Sequence, residues 1–257
     1  MALIEFAGVH KSFPPKVVYA GLDLTIARGE ALTIVGGSGV GKSVMLKLLI
    51  GLLKPERGSI TFDGKSVVGM SPRELAGVRQ RIGMVFQGAA LFDSLTVREN
   101  VAYGLREHFT MTEPEIDERV DWALSLVGLP GIEGMNPADL SGGMRKRVGL
   151  ARTIALRPEV LLYDEPTTGL DPINTTRINN VIMSLKSALN VTSIVVTHDM
   201  QSAFTISSRL AMVYKGRIVA SGTVDEFRNS NNPLVHNFVK GHAPVDEDMA
   251  SLMARTQ

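Results

Sequence analysis

The fold of this chain is decided by one octapeptide, Gly36-Gly37-Ser38-Gly39-Val40-Gly41-Lys42-Ser43. It matches the pattern G-x-x-x-x-G-K-[ST] of phosphate-binding loops. The glycines allow consecutive backbone N–H groups to converge on the α- and β-phosphates of a nucleotide, and a helix that begins near Gly41 adds its dipole there. Lys42 can then reach the β- and γ-phosphates, and the Ser43 hydroxyl can bind Mg²⁺. The octapeptide therefore predicts that the chain binds a nucleoside triphosphate.

The segments on either side of this phosphate loop have the expected character. Ala31–Val35 is apolar and typical of a buried strand, while residues 44–49 have the composition of a helix. A strand, a glycine-rich loop and a helix in this order form the context in which the pattern binds phosphate. This context disfavours the alternative of a glycine-rich turn without function.

Two carboxylates follow a second apolar segment. Residues 160–163 are apolar and are followed directly by Asp164 and Glu165. Ligands of open α/β sheets collect at the carboxyl ends of the strands, so both side chains are expected near the phosphate loop. Asp164 is placed to hold Mg²⁺ through a water molecule, and Glu165 could act as general base toward the attacking water. Two acids on a surface turn are usually only solvated, but the preceding strand favours the functional interpretation.

A second glycine-rich helix start lies at residues 140–144, Leu-Ser-Gly-Gly-Met. It opens a predicted helix that continues to about residue 156, and it provides another helix terminus suited to anions. The chain thus has two phosphate-binding helix ends but one pair of carboxylates. We therefore expect two copies of the chain to share each nucleotide.

With this pentapeptide the chain resembles the ATP-binding subunits of ABC transporters, in which LSGGM stands at the position of the signature motif. Three further elements of that family fall in order along the chain. Gln87 matches the Q-loop glutamine, Asp171 in Gly169-Leu170-Asp171 matches the D-loop, and His198 matches the switch histidine. The resemblance covers residues 4–227.

The resemblance implies a set of site residues for ATP and Mg²⁺. Catalytic roles are implied for Lys42, Gln87, Glu165 and His198. Ligation of Mg²⁺ is implied for Ser43, Gln87 and Asp164. ATP contacts are implied for Phe13, Gly36, Gly37, Ser38, Gly39, Val40, Gly41, Lys42, Ser43, Val44, Ser141, Gly142, Gly143 and Asp171. In a head-to-tail homodimer with two ATP sites, Ser141 and Gly143 of one copy would face the phosphate loop of the other.

The aromatic residue that stacks on adenine is left open between two side chains. Phe13 stands where the family places this aromatic. Tyr19 is near enough in sequence to serve instead, because stacking on a base accepts either ring.

The predicted fold class is α/β. It consists of a RecA-like phosphate-loop ATPase core with an amino-terminal antiparallel β subdomain and an inserted helical subdomain. The ATP-binding domain is expected over residues 1–228, with the helical subdomain at about residues 88–157. Asp63-Gly64 predicts a hairpin turn, and residues 160–219 alternate strands and helices as in a parallel sheet.

Residues 229–257 are predicted to form a carboxyl-terminal tail. Two interpretations remain open for it. It is either a frayed terminus or an arm that docks on a second copy or a small partner. The apolar residues that such an arm would use are Leu234, Phe238, Met249, Leu252 and Met253.

Composition agrees with a cytoplasmic enzyme. The net charge of +1 gives no general attraction to nucleic acid or anionic membranes, and the absence of cysteine excludes disulfides. The amino terminus lacks the features of a signal peptide, and no apolar run approaches the ~20 residues needed to span a bilayer. If the chain drives transport, we expect it at the cytoplasmic face of the inner membrane, bound through transmembrane permease subunits.

Residues 88–108 indicate which substrate is transported. Their ALF, NVAY and LREH segments, followed by LSGGM and three basic residues, are similar to ATPases of Mla-type and Mce-type lipid transporters. This similarity implies phospholipid movement between bacterial envelope membranes, with a periplasmic lipid-binding Mce-type subunit and a small cytoplasmic subunit as candidate partners. It also implies that residues 88–108 touch the permease, so Leu91, Phe92 and Leu95 are expected to be partly exposed.

Three alternative functions are less consistent with the sequence. An importer of small, amino acid-like solutes more often carries glutamines after the signature glycines. Soluble ABC ATPases that act on ribosomes usually have two cassettes, and those that act on chromosomes insert long coiled coils; the sequence shows neither pattern. A module that binds ATP without hydrolysis is disfavoured by the presence of both Glu165 and His198.

Overall fold

A computed structural model describes residues 2–242 of the chain. Its strands are β1 (Ala2–Phe13), β2 (Lys16–Ala27), β3 (Ala31–Val35), β4 (Arg57–Phe62), β5 (Lys65–Ser66), β6 (Ile82–Val85), β7 (Val160–Asp164), β8 (Thr192–Thr197), β9 (Arg209–Tyr214) and β10 (Arg217–Gly222). Its α-helices are α1 (Lys42–Leu49), α2 (Pro72–Arg81), α3 (Val97–His108), α4 (Glu113–Leu126), α5 (Gly142–Ile154), α6 (Pro172–Leu189), α7 (Met200–Ile206), α8 (Val224–Arg228) and α9 (Pro233–Lys240). A 3₁₀ helix at Pro137–Asp139 precedes α5.

The smaller sheet is antiparallel and is built from the amino-terminal strands in the order β2-β1-β4-β5. Its inner face buries side chains such as Ile4 and Phe6. Asp63 and Gly64 join β4 to β5 with φ angles of 52° and 75°. Positive φ at both positions is the geometry of a two-residue hairpin turn whose twist matches that of the strands. The predicted hairpin and the antiparallel subdomain are therefore confirmed.

The larger sheet has the order β10-β9-β3-β8-β7-β6, and its pairings from β9 to β6 are parallel. Every residue of β3, β7 and β8 is buried, as expected for strands covered on both faces. Because these strands run in one direction, the phosphate loop after β3, the carboxylates after β7 and His198 after β8 share one edge of the sheet. The predicted α/β core is confirmed.

The last strand differs from the prediction of a parallel sheet through residue 219. β10 pairs antiparallel with β9. Lys215 and Gly216, with φ angles of 45° and 78°, reverse the chain in two residues. Such a turn can only produce a hairpin, since a parallel connection needs a crossover of a dozen or more residues.

The helices α3, α4 and α5 pack on one another and form a second hydrophobic core beside the sheet. The helix α4 begins directly after its N-cap residue, Thr112. The Glu115 carboxylate accepts hydrogen bonds from both the backbone N–H and the hydroxyl of Thr112. Gly128 follows the helix with a φ of 67°, which is the usual left-handed helix end.

The part of the predicted tail that lies within residues 2–242 contains α9. Val235 on this helix is buried in a cluster with Phe227 and Met212, and Phe238 packs against the same cluster. Leu234 is half-buried. Met249, Leu252 and Met253, the other residues of the possible docking arm, lie outside the described residues.

Candidate active site

The phosphate loop connects β3 to α1 at the carboxyl edge of the larger sheet. Gly36 has a φ of 153°, and a Cβ atom there would lie 2.6 Å from the carbonyl oxygen of Val213. Gly41 caps α1 with a φ of 106°, and a Cβ atom there would collide with the side chain of Val18. Both positions therefore require glycine, because the loop is confined by the strands behind it. Residues 37–39 are exposed at the mouth of the loop.

Lys42 is the first residue of α1 and is only 6 % exposed. Its Nζ donates to the carbonyl oxygens of Gly36 at 2.9 Å and Gly37 at 3.1 Å, and it lies 3.5 Å from Glu165 Oε1. Burial lowers the pKa of Lys42, and the carboxylates of Glu165 and Asp164 oppose this shift. The ammonium group is thus held over the loop at the position where nucleotide phosphates bind in such loops.

Ser43 and Asp164 meet although they are 121 residues apart. The Ser43 hydroxyl donates to Asp164 Oδ1 at 2.6 Å. This pair offers two oxygen ligands beside the phosphate loop, which is the donor type that Mg²⁺ prefers. Among residues 2–242, no group of three or more His, Cys, Asp or Glu side chains is arranged to hold a metal ion. A Mg²⁺ ion at this position would therefore draw its remaining ligands from phosphate, from water or from an uncharged side chain such as that of Gln87.

Gln87 lies two residues beyond the end of β6, in an exposed loop at the same edge of the sheet. β6 pairs with β7, so this loop is next to the segment that carries Asp164 and Glu165. The structure therefore places Gln87 at the side of the site that leads toward the helical subdomain.

Glu165 has a φ of 49°, which is uncommon for a residue with a side chain. Its backbone N–H donates to the carbonyl oxygen of Val196. Its Oε2 accepts hydrogen bonds from the hydroxyls of Thr168 at 3.2 Å and Thr197 at 3.3 Å and lies 2.9 Å from His198 Nδ1. The surrounding contacts thus hold a strained residue in one orientation, and such strain is concentrated at functional sites. A fixed carboxylate of this kind is suited to accept a proton from water.

The signature residues and Asp171 occupy two other helix starts. The Ser141 hydroxyl caps α5, and both Ser141 and Gly142 are exposed, whereas Gly143 is buried. The Asp171 carboxylate is exposed and caps α6. Within the described part of the chain, no hydrogen bond connects Ser141 or Asp171 to Lys42, Asp164 or Glu165. Ser141, Gly142 and the Asp171 carboxylate are therefore exposed at a surface that a second molecule can reach, whereas Gly143 is covered.

The two candidate aromatics have different environments. Phe13 is 43 % exposed at the end of β1, and Lys11 Nζ lies 4.9 Å from the centre of its ring. Tyr19 is 1 % exposed, and its hydroxyl donates to the carbonyl oxygen of Gly41 at 2.5 Å. Burial raises the pKa of Tyr19. Tyr19 therefore supports the phosphate loop, and its burial favours Phe13 as the aromatic residue for adenine.

Three contacts around the site were not predicted from the sequence. Tyr19 holds Gly41 as described, Lys16 Nζ donates to the carbonyl oxygen of Gly39 at 2.6 Å, and Lys146 Nζ donates to two carbonyls just beyond Glu165. Each contact joins side chains to backbone across at least 20 residues of sequence. No spacing rule connects such positions, so only the folded structure reveals them.

A protein-family model described as "ABC transporter" matches residues 19–168 of the chain. This span includes the phosphate loop, Gln87, the signature motif, Asp164 and Glu165.

Three curated relatives match most of the chain. The chloroplastic protein TRIGALACTOSYLDIACYLGLYCEROL 3 of Arabidopsis thaliana is 44 % identical, with 93 % of this chain and 74 % of the relative covered. The intermembrane phospholipid transport system ATP-binding protein MlaF of Haemophilus influenzae is 41 % identical, with 94 % and 91 % covered. The probable ribonucleotide transport ATP-binding protein mkl of Mycobacterium bovis is 42 % identical, with 93 % and 66 % covered.

Two solved structures have a similar fold. One is cbiO1 from Clostridium perfringens, part of an ABC transporter complex, with a TM-score of 0.81 and 32 % identity over 88 % of this chain and 90 % of that chain. The other is an ATP-binding cassette solved as a dimer in a post-hydrolysis state with ADP and Pi. Its TM-score is 0.78 and its identity 30 %, over 86 % of this chain and 98 % of that chain.

Proposed function

Because this chain belongs to the ABC transporter family, we propose that its ATPase site drives the movement of phospholipids between the membranes of a bacterial envelope. The chain is an ABC ATPase subunit of a transporter. One observation carries the lipid assignment: the relative named for intermembrane phospholipid transport is 41 % identical and is covered over 91 % of its length. The LSGGM signature and the residues after Gln87 point to the same class of transporter.

The contacts within the site support separate roles for its residues. Lys42 binds the β- and γ-phosphates of ATP, and Phe13 stacks on adenine. Mg²⁺ would be held by Ser43, Asp164 and Gln87, and it would neutralise phosphate charge. The burial of Lys42 and its position beside the glycine-rich loop favour this assignment, because a charge-assisted bond to phosphate is strongest out of water.

In hydrolysis, the oxygen of a water molecule forms a bond to the γ-phosphorus, and the bond from that phosphorus to the β–γ bridging oxygen breaks. The proton that leaves the water passes to the Glu165 carboxylate. His198, with Nδ1 at 2.9 Å from Glu165 Oε2, holds that carboxylate in place. A base fixed by several contacts needs little reorganisation when the proton moves.

We further propose that two copies form the complete site. A neighbour structure at 30 % identity is a dimeric cassette. In this chain Ser141 and Gly142 are exposed at the amino terminus of α5, where backbone N–H groups and the helix dipole favour an anion. In a head-to-tail pair, these residues and Asp171 would approach the nucleotide held by the phosphate loop of the other copy.

The permease is proposed to dock in an apolar groove of about 440 Å³ between the core and the helical subdomain. Exposed aromatic and aliphatic side chains line it: Leu52, Phe86, Phe92 and Tyr103. As predicted, Phe92 is exposed and Leu91 and Leu95 are half-buried. An apolar surface of this kind beside polar residues is typical of an interface. Phe86, which lines the groove, is next to Gln87 in the chain, so the proposed docking surface is adjacent to the nucleotide site.

No helix within residues 2–242 has the length and apolar character needed to cross a bilayer. We place the subunit at the cytoplasmic face of the inner membrane, held there by the permease. A periplasmic lipid-binding Mce-type subunit and a small cytoplasmic subunit are further proposed partners, on the basis of the similarity to lipid transporters alone.

A small polar solute is the second candidate substrate. It is favoured by the relative whose name describes probable ribonucleotide transport, which is 42 % identical but is covered over only 66 % of its length. The two candidates differ in what should stimulate the ATPase of the assembled transporter.

The test is to purify the complex from native membranes in mild detergent, identify its subunits and bound lipids, and measure its ATPase rate in nanodiscs. A phospholipid role predicts co-purifying phospholipid and a rate that responds to phospholipid or to the lipid-binding subunit. Stimulation by a ribonucleotide or an amino acid, with none by lipid, would replace the lipid assignment with the small-solute one.

A further inference from the structure

Lys146 connects two parts of the site that lie far apart in sequence. It is on the second turn of α5, the helix that Ser141 caps. Its Nζ donates to the carbonyl oxygens of Pro166 at 2.8 Å and Thr168 at 2.9 Å. These carbonyls belong to the loop that begins with Glu165 and ends at the Asp171 cap of α6. The start of the signature helix is therefore fastened to the loop that carries the hydrolytic carboxylate.

The environment of Lys146 makes this contact costly unless the ammonium is fully bonded. The side chain is half-buried, burial lowers its pKa, and the nearby Glu165 carboxylate opposes that shift. The partners of Nζ are neutral carbonyl groups rather than a carboxylate. A partly desolvated charge is tolerated only where hydrogen bonds compensate for lost water. Lys146 thus loses part of its hydration and instead donates hydrogen bonds that fix the backbone at Pro166 and Thr168.

The hydrogen bonds continue from Lys146 to the carboxylate. Thr168, whose carbonyl accepts from Lys146, donates through its hydroxyl to Glu165 Oε2 at 3.2 Å. The backbone N–H of Thr168 also donates to the carbonyl oxygen of Glu165 at 3.3 Å. Glu165 itself has the uncommon φ of 49°, a conformation that persists only when surrounding contacts impose it.

We propose that Lys146 is a positioning residue for hydrolysis, which fixes the loop 166–168 and, through Thr168, the orientation of the Glu165 carboxylate in the same chain. This rests on the proposed role of Glu165 as general base. The hydrogen bonds of Lys146 go to backbone carbonyls of this loop and not to the Glu165 carboxylate. Lys146 also connects α5, whose amino terminus would face the nucleotide of a partner, to the loop that carries Glu165 in its own chain.

The test compares five variants of the full-length chain in the assembled transporter. They are Lys146→Met, Lys146→Arg, Thr168→Val, the double variant Lys146→Met/Thr168→Val, and the matched control Lys186→Met. Lys186 is also a half-buried lysine on a helix, in the last turn of α6. For each variant, the maximal ATPase rate and the Kd for a fluorescent ATP analogue are measured separately.

We expect Lys146→Met to lower the maximal rate about tenfold, because a displaced base loses orientation, while the Kd for nucleotide stays within about twofold. Lys146→Arg keeps the donors and should recover most of the rate. Since Lys146 acts through Thr168, the double variant should be no slower than the slower single variant, which is the non-additive behaviour of coupled residues.

Multiplied effects in the double variant, or an equal loss in Lys186→Met, would show that Lys146 has only a structural role and would overturn the proposal. If Lys146→Met does not fold, Lys146→Arg and Thr168→Val still test the proposal. An undiminished maximal ATPase rate in Thr168→Val would contradict the role of Thr168 in orienting Glu165. Failure of the general-base assignment itself is seen separately, as undiminished turnover in Glu165→Gln.

Discussion

Glu165 and His198 lie at the ends of the adjacent parallel strands β7 and β8, and Glu165 Oε2 is 2.9 Å from His198 Nδ1. The other oxygen of this carboxylate, Oε1, is 3.5 Å from Lys42 Nζ. One carboxylate therefore has a separate partner on each oxygen. The strand order produces this relationship, because β3, β8 and β7 place the lysine, the histidine and the glutamate at one edge of the sheet.

We expect Glu165→Gln to bind ATP with nearly unchanged affinity and to hydrolyse it about two orders of magnitude more slowly or worse, because the isosteric amide cannot accept the proton. Phosphate release and nucleotide Kd should be measured on the same preparation. Glu159→Gln is the matched control, since Glu159 precedes β7 at the opposite end of the same strand. Unchanged hydrolysis in Glu165→Gln would contradict the general-base role.

Lys42→Ala should act on binding rather than on the proton transfer. Loss of a charge-assisted contact to phosphate is expected to raise the Kd for ATP about tenfold or more. Lys47→Ala is the control, because Lys47 is a half-buried lysine on the same helix α1. Equal affinities of the two variants in a titration with labelled ATP would remove Lys42 from the phosphate site.

The sequence was sufficient to predict the residues that are brought together by strand order. Lys42, Asp164 and His198 each follow an apolar segment, and parallel strands bring such positions to one edge. The antiparallel strand β10 was not predicted, because Lys-Gly is not among the residue pairs typical of two-residue hairpin turns. The positive φ angles of Lys215 and Gly216 that form this turn are seen only in the structure.

The supporting contacts of the site could not be predicted in this way. Lys16, Tyr19 and Lys146 all act on backbone carbonyls, and a backbone carbonyl leaves no trace in the residue types of the sequence. Their roles depend on how the antiparallel sheet and α5 pack against the loops. Packing of this kind is determined by the whole core rather than by local pattern.

Replacement of Phe13 by alanine should raise the Kd for ATP about tenfold, because base stacking contributes roughly 1–3 kcal/mol. The Kd for inorganic triphosphate should not change, since that ligand has no base, and Phe13→Tyr should bind ATP normally. Tyr19→Phe instead loses the hydrogen bond to Gly41 and should destabilise the fold by about 1 kcal/mol. A larger loss of triphosphate than of ATP affinity in Phe13→Ala would contradict the stacking role.

The stability of the fold should depend on pH through Glu159. The pKa of Glu159 is lowered from 4.5 to about 2, chiefly by hydrogen bonds from the Arg81 guanidinium and also by Arg28. A depressed carboxyl pKa contributes stability above pH 4.5, and this is lost as the pH falls toward about 2. Glu159→Gln should therefore have a lower Tm than the unmodified protein near neutral pH. Its Tm should also change less than that of the unmodified protein as the pH falls from 4.5 to about 2. The effect should be small, since the group is partly exposed. A difference in Tm that is the same at every pH would contradict this assignment.

Phe92→Asp should separate the subunit from its permease while leaving its nucleotide affinity intact. Phe92 is 42 % exposed in the apolar groove, its ring centre is 4.8 Å from that of Tyr103, and the Arg152 guanidinium lies 5.8 Å away. In the free subunit, that arginine can pair with the new carboxylate, so folding is expected to survive. In the complex, the same charge would have to be buried against the apolar surface of a partner, which is strongly unfavourable.

Phe109→Asp is the control, because Phe109 is equally exposed but does not line the groove. Co-purification of permease, Kd for ATP and lipid-dependent ATPase rate should be compared for both. Since ATP can move the permease only by as much as it prefers the closed state, a detached subunit should keep its basal rate and lose the lipid response. Retained permease and lipid response in Phe92→Asp would place the coupling surface elsewhere on the subunit.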